Sequence, residues 1–191
     1  MKIIGLTGGI GSGKSTVLEL FKKQGIATYM ADKEAKDLMN SDPELRDKIT
    51  DLFGKSAYVD HKLNRSYIAS IVFRDEAKLK ALNELVHPKV YEHFNDFIQN
   101  LDSEVVIYEA AILFESGRAE MCDYIIVVVA EEKDKIQRIM KRDGLSKEQI
   151  LDRMKNQLDD TSKIKKADFV IYNKDLSDTK SQVLKIVDAI K

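Results

Sequence analysis

The sequence has one cysteine and two prolines in 191 residues and no excess of charge of either sign. The lone Cys122 excludes an internal disulfide and a multi-cysteine metal site, and a reducing compartment is its simplest home. With 31 Lys and Arg against 32 Asp and Glu, the formal charge is −1. That balance argues against general binding to nucleic acid or to an anionic lipid surface, which needs a basic excess or patch. No apolar run approaches the ~18 to 20 residues of a spanning helix, and Ile3-Ile4 gives way to glycines before a signal segment could form. The expected address is therefore cytoplasmic, with no membrane partner. Repeats, low-complexity tracts and linkers are also missing, so a second lobe must be an insertion without an obvious hinge. A hydrophobic share of 43% with 33% charged residues describes a chain that can bury a core.

Glycine is scarce over most of the chain and crowded at one place. Of nine, Gly5, Gly8, Gly9, Gly11 and Gly13 fall within the first thirteen residues. Lys2 to Thr7 before them reads as a buried strand. Ser15 to Gln24 after them has helical spacing, with Val17, Leu18, Leu20 and Phe21 on one face and Gly25 at its end. Ile26 to Met30 reads as a second strand, which completes the opening of a parallel βαβ unit. Glu104 to Tyr108, Tyr124 to Val129 and Phe169 to Tyr172 are further strands of the buried parallel type.

About seventy residues separate the second strand from the third, far more than a crossover needs, and their signals are mostly helical. Ser41-Asp42-Pro43-Glu44 reads as a capping box leading into Leu45, Ile49, Leu52 and Phe53, with Gly54 as the stop. A stripe of Leu79, Leu82, Leu85 and Val86 runs up to His87-Pro88, and Val90, Phe94, Phe97 and Ile98 continue as another helix. Beyond the fourth strand, Glu131 to Arg142 is a helix closed by Gly144. Ser146-Lys147-Glu148-Gln149 is a capping box for a helix to about Leu158, and Ser177 to Ile190 packs on the sheet through Val183, Leu184, Val187 and Ile190.

The glycine cluster contains Gly8-Gly9-Ile10-Gly11-Ser12-Gly13-Lys14-Ser15, the phosphate-loop pattern G-x-x-x-x-G-K-[ST]. Glycines allow the backbone to turn tightly and approach phosphate oxygens, and the following helix adds unpaired N–H groups and its positive dipole end. Gly9 to Gly13 would then cradle the phosphates of ATP, Lys14 would bridge the outer ones, and the Ser15 hydroxyl would hold Mg²⁺ with Thr16 beside it. The expected fold is a three-layer α/β/α P-loop NTPase core with a five-stranded parallel sheet, a helical insertion and a helical lid. Residues 1–31 and 104–191 form the core, about 138–166 the lid and 32–103 the insertion.

The loop alone does not separate kinases from GTP-driven switches or mechanical ATPases. Asp51-Leu52-Phe53-Gly54 matches a GTPase DxxG only in letters, because it closes a helix, and Asn173-Lys174-Asp175-Leu176 puts its Asp one place early for a guanine reader. Asp32 follows the second strand, where ligands sit in open parallel sheets; it could take a proton from an acceptor hydroxyl or simply cap the next helix. Glu109 ends the third strand and reads as a metal-facing carboxylate or an ordinary strand-end charge. Arg138, Arg142 and Arg153 could clamp a triphosphate or be solvated helix arginines. His61, His87 and His93 lack metal-ligand spacing, and His87 reads as a helix-start or packing residue.

Taken together the segments resemble the dephospho-coenzyme A kinase family over nearly the whole chain. The similarity lies in Ile4 to Ser15, in Asp32, in Leu63-Asn64-Arg65 with Ile71-Val72-Phe73, and in Leu82-Asn83-Glu84-Leu85-Val86-His87-Pro88. It continues in Glu109-Ala110-Ala111-Ile112-Leu113-Phe114-Glu115 and in the run from Arg138 through Arg142, Arg153 and Gln157 to Asn173. The resemblance implies ATP as donor with Mg²⁺ and dephospho-coenzyme A as acceptor in the helical insertion; a monomer is expected. It implies Asp32 and Lys14 as catalytic residues, and Arg65, His87, Phe114 and Glu115 at the acceptor site. Arg142 and Arg153 would meet the ATP phosphates, Asn173 the adenine loop, and Ser15 with Glu109 the metal. Met30 stands where the family has the first Asp of Asp-x-Asp, Asn64 and Glu109 stand for Asp, and Ala111 for Pro. The alternatives that the residues leave open are another P-loop nucleoside, nucleotide or metabolite kinase, and a nucleotide-hydrolysing switch.

Overall fold

The computed structural model describes residues 1–155 and 157–190. In chain order β1 (Lys2–Thr7), α1 (Lys14–Lys23) and β2 (Ala27–Met30) come first. Then follow α2 (Ala31–Ser41), α3 (Pro43–Phe53), β3 (Tyr58–Val59), β4 (Lys62–Leu63), α4 (Arg65–Val72) and α5 (Glu76–Gln99). The chain ends with β5 (Val105–Glu109), β6 (Tyr124–Val129), α6 (Glu132–Asp143), α7 (Lys147–Lys155), α8 (Asp160–Ile164), β7 (Phe169–Tyr172) and α9 (Leu176–Ile190). Two compact units result, Met1–Met30 with Asp102 onward, and Ala31–Leu101.

The first unit is built on a parallel five-stranded sheet in the order β2-β5-β1-β6-β7. Its strands are short runs of mainly β-branched residues that are apolar at successive positions, as strands buried on both faces must be. Ile4, Leu6, Val106, Ile107, Ile126, Val127, Val128 and Ile171 have no exposed surface. Val17, Leu18 and Phe21 of α1 and Val183, Ile186, Val187 and Ile190 of α9 close the core over it. The sequence reading gave an inner place to Leu184, which is instead 39% exposed. The buried set 183, 186, 187 and 190 follows the i, i+3, i+4, i+7 stripe of a helix, and Leu184 falls off it. The chain leaves β1 toward β2 on one side and β6 lies on the other, so β1 is the switch point where open parallel sheets bind ligands at their carboxyl ends.

In the second unit Leu45, Ile49, Phe53, Ile68, Val86, Val90 and Phe94 are buried. Two expectations change there, and one element is added to them. α2 runs through Ser41, whose hydroxyl donates to the Asp37 carbonyl at 2.9 Å, so Ser41 caps nothing. Asp42 is the N-cap of α3, accepting from the Leu45 N–H at 2.8 Å with Pro43 at the first helical position. Glu44 accepts instead from Lys48 at 2.7 Å and from Lys89 of α5 at 2.6 Å. Second, the two helices expected around His87-Pro88 are one, α5. Pro88 removes one N–H from the helix, the donor to Glu84, and a long helix with Val86, Val90 and Phe94 buried tolerates that loss. The added element, a hairpin of β3 and β4, turns through Asp60 (φ 49°) and His61 (φ 63°), both in the left-handed region that such two-residue turns demand.

Downstream, α6 ends at Gly144 (φ 67°) as expected, and Ser146 and Gln149 exchange both bonds of a capping box. α7 does not extend to Leu158. The Leu158 N–H goes to the Glu115 carboxylate at 2.9 Å, and Asp159 starts α8 by accepting from the Ser162 N–H at 2.8 Å.

Candidate active site

The loop between β1 and α1 is fastened from outside. Arg138 of α6 donates to the carbonyls of Gly11 at 3.4 Å, Ser12 at 3.2 Å and Asn173 at 3.1 Å. Buried Asn173 donates its amide to the Ser12 carbonyl at 2.7 Å and accepts from Thr179 at 3.1 Å. The Gln157 side chain takes the Ile10 N–H at 2.9 Å, the Gly9 carbonyl accepts from Ser12, and Lys14 donates to the Gly8 carbonyl at 2.9 Å. With its carbonyls so engaged, the loop can present backbone N–H groups toward an anion.

Two glycines have geometric reasons. Gly13 (φ 94°) is the left-handed N-cap of α1, and a Cβ there would strike the Asn173 amide. Gly11 (φ 78°) would put a Cβ 2.7 Å from the Lys135 carbonyl. No side chain caps α1. Thr16 and Val17 donate their N–H groups to the Gly13 carbonyl, and the positive end of the α1 dipole suits a phosphate.

Ser15 and Thr16 are exposed on that first turn. Glu109 is buried at the end of β5, level with Leu6 of β1 and Met30 of β2. The Ser15 hydroxyl and the Glu109 carboxylate are hard oxygen donors that fit Mg²⁺, which takes only one or two protein ligands beside phosphates. Among the described residues no cluster of three His, Cys, Asp or Glu could hold a metal by itself.

Of the three arginines singled out from the sequence, the one that touches the loop is Arg138. Arg142 pairs with Asp143 through Nε at 2.7 Å and Nη2 at 2.9 Å, which raises its own pKa and lowers that of the carboxylate. Arg153 is exposed on α7. Sequence reading missed Lys135, which lies one helical turn before Arg138 and ion-pairs with Asp160 at 2.7 Å beside Gly9. Its signal was the i, i+3 spacing to Arg138. A cavity of about 570 Å³ opens here, lined by Gly9, Ile10, Lys135, Met154, Gln157 and Asp160. Another of about 320 Å³ adjoins Ala130, Asp134, Tyr172, Asn173 and Lys174.

Glu115 meets Lys163, which has no exposed surface and whose ammonium has no hydrogen-bond partner among the described residues; the two charged groups stand 3.5 Å apart. The ring of Phe114 lies under Lys166 at 5.6 Å. A buried ammonium left without its counter-ion is costly. Glu115→Ala is expected to lower unfolding stability by roughly 3–5 kcal/mol, with most of it recovered when Lys163→Met is added. Urea denaturation measures both; a loss below about 1 kcal/mol would show that the ammonium escapes to water.

Asp32 is the second residue of α2 and exposed, so the N-cap reading fails for it. Arg65 is exposed at the start of α4, whose N-cap is Asn64. His87 is half-buried within α5, not at a helix start. Cys122 is half-buried beside Gly5, and burial pushes its thiol up to about 12, as befits a packing residue.

A parallel sheet with this loop after its central strand defines a protein of the P-loop NTPase class. The sequence matches the family model described as dephospho-CoA kinase over residues 2–178. A dephospho-CoA kinase of Bacteroides fragilis is 36% identical over 185 residues, covering 96% of this chain and 90% of the relative. One from Salinibacter ruber is 39% identical over 91% of this chain and 89% of its own. The chain belongs to the dephospho-CoA kinase family. Among solved structures, a Thermus thermophilus protein superposes with a TM-score of 0.91 at 33% identity, covering 99% of this chain and 97% of that one. Dephospho-CoA kinase from Campylobacter jejuni gives 0.72 at 30% identity, covering 100% and 98%. A shikimate kinase from Bacteroides thetaiotaomicron, at 14% identity and 0.57, shares the fold. No helix among the described residues is long and apolar enough to cross a membrane.

Proposed function

We propose that this chain transfers the γ-phosphoryl group of ATP to the ribose 3′-hydroxyl of dephospho-coenzyme A, giving coenzyme A and ADP. The observation that carries this reading is the externally braced phosphate loop with Lys14, in a chain matched to the family almost from end to end. The 3′-oxygen attacks the γ-phosphorus as the bond to the β,γ-bridging oxygen breaks, and the hydroxyl proton goes to the Asp32 carboxylate. The case for Asp32 is its place two residues after Met30, the end of β2, and its freedom from capping duty. Lys14 and the loop amides stabilise the charge that spreads over the moving group. The Ser15 hydroxyl and Glu109 carboxylate would hold Mg²⁺, which supplies charge neutralisation at the outer phosphates.

The unit Ala31–Leu101 is proposed to hold the acceptor through Arg65 and His87, and Phe114 and Glu115 are proposed as acceptor-binding residues as well. Arg65→Ala should raise the acceptor KM roughly ten- to hundredfold, the worth of one charge-assisted hydrogen bond, with a smaller effect on kcat. An unchanged acceptor KM would return Arg65 to an ordinary surface role. The lone cysteine suits the cytoplasm, and the protein is proposed to act as a monomer. The reading is tested by following ADP release from Mg·ATP with a panel of acceptors. Release dependent on dephospho-coenzyme A is expected; equal release with nucleosides, sugars or water alone would overturn it.

A further inference from the structure

We propose that Lys135 is a second phosphate-binding lysine of the loop, which Asp160 holds in place and yields to the outer phosphates of the donor. This rests on ATP being the donor.

Lys135 lies against Gly9 and Gly11 of the loop. Its carbonyl is 2.7 Å from where a Cβ of Gly11 would be; its Cδ and Nζ are 4.0 and 3.6 Å from where a Cβ of Gly9 would be. Its side chain is only 11% exposed, and its ammonium is bound to Asp160 Oδ2 at 2.7 Å. The other carboxylate oxygen of Asp160 is 3.2 Å from the same point on Gly9. Glu132, Asp159 and Lys155 also line the cavity that opens there. An ion pair held against a phosphate loop has a specific consequence. A polyphosphate entering the loop meets in this pair a cation that attracts it and a carboxylate that repels it. Lysine is a point charge on a flexible stem, so it can exchange one anionic partner for another without moving α6. Arg138, which holds three backbone carbonyls, has no such freedom.

The competition gives the two members opposite signs. Lys135→Gln should weaken binding of ATP and of inorganic tripolyphosphate roughly five- to tenfold, whereas Asp160→Asn, which frees the ammonium and removes the repelling charge, should tighten both by about two- to fivefold. Lys135→Arg should retain most of the affinity. AMP, which lacks the outer phosphates, should bind all forms alike, and the acceptor KM should not move. Calorimetric titration with the three ligands, beside thermal unfolding of each variant, decides the matter. A pair that merely ties α8 to α6 would lower stability in both single variants and shift ligand binding the same way in both. That outcome, or an unchanged tripolyphosphate affinity in Lys135→Gln, would overturn the proposal. Tripolyphosphate binding is read without turnover, so a wild-type protein that failed to phosphorylate dephospho-coenzyme A would refute the proposed reaction while this test still stood.

Discussion

Asp32→Asn is expected to cut kcat by roughly 10²- to 10⁴-fold, the range that a positioned general base contributes, while leaving the affinity for Mg·ATP within about twofold. The amide has the shape of the carboxylate but cannot take the hydroxyl proton. Because the lost interaction exists only as the proton moves, kcat and kcat/KM for the acceptor should fall together. Asp32 is exposed on the first turn of α2, so the substitution buries no unpaired group and should leave the unfolding midpoint unchanged. Turnover within tenfold of wild type would remove the base from Asp32.

Lys14→Ala has the other large expected effect, and it differs in kind. In the proposed reaction the ammonium would contact the donor in both ground and transition states, so nucleotide binding should weaken by about ten- to hundredfold, the worth of a charge-assisted hydrogen bond. kcat should fall by a further 10² or more, as when one preorganised donor to the developing charge is lost. Lys14 also donates to the Gly8 carbonyl. Lys14→Met, which keeps the stem and loses the donor, should behave like the alanine variant if charge is what matters. ATP affinity equal to wild type in both variants would place the phosphates elsewhere.

The parts of the fold legible in the sequence were those whose signal is local and repeated. Parallel strands buried on both faces must be apolar at successive positions, and Tyr124–Val129 and Lys2–Thr7 announced themselves that way. The phosphate loop was legible because its spacing is covalent. Where two residues of similar chemistry competed, the sequence was ambiguous: Ser41 and Asp42 can both cap, and only the run of α2 through Ser41 decides for Asp42. The hairpin at Asp60-His61 carries no glycine to mark its left-handed turn, and Pro88 resembles a helix break although it removes a single hydrogen bond.

The candidate site was half legible for the same reason. Lys14 and Ser15 belong to the motif itself. What holds the loop is remote in sequence: Arg138 reaches Ser12 across 126 positions and Asn173 reaches it across 161. The sequence offered Arg138 as a phosphate clamp, yet its guanidinium holds three carbonyls. Asn173, expected at the adenine, spends its amide on the loop. Neither duty follows from residue type, because Arg138 depends on β6 lying beside β1 and Asn173 on β7 lying beside β6.

The most direct test of the reaction is the position of the new phosphate. Wild-type protein incubated with Mg·ATP and dephospho-coenzyme A should yield one product, heavier by one phosphoryl group, whose phosphorus NMR signal is a monoester coupled to the ribose 3′ proton. A phosphate at the 2′ position, at the pantetheine end or on water would contradict the account.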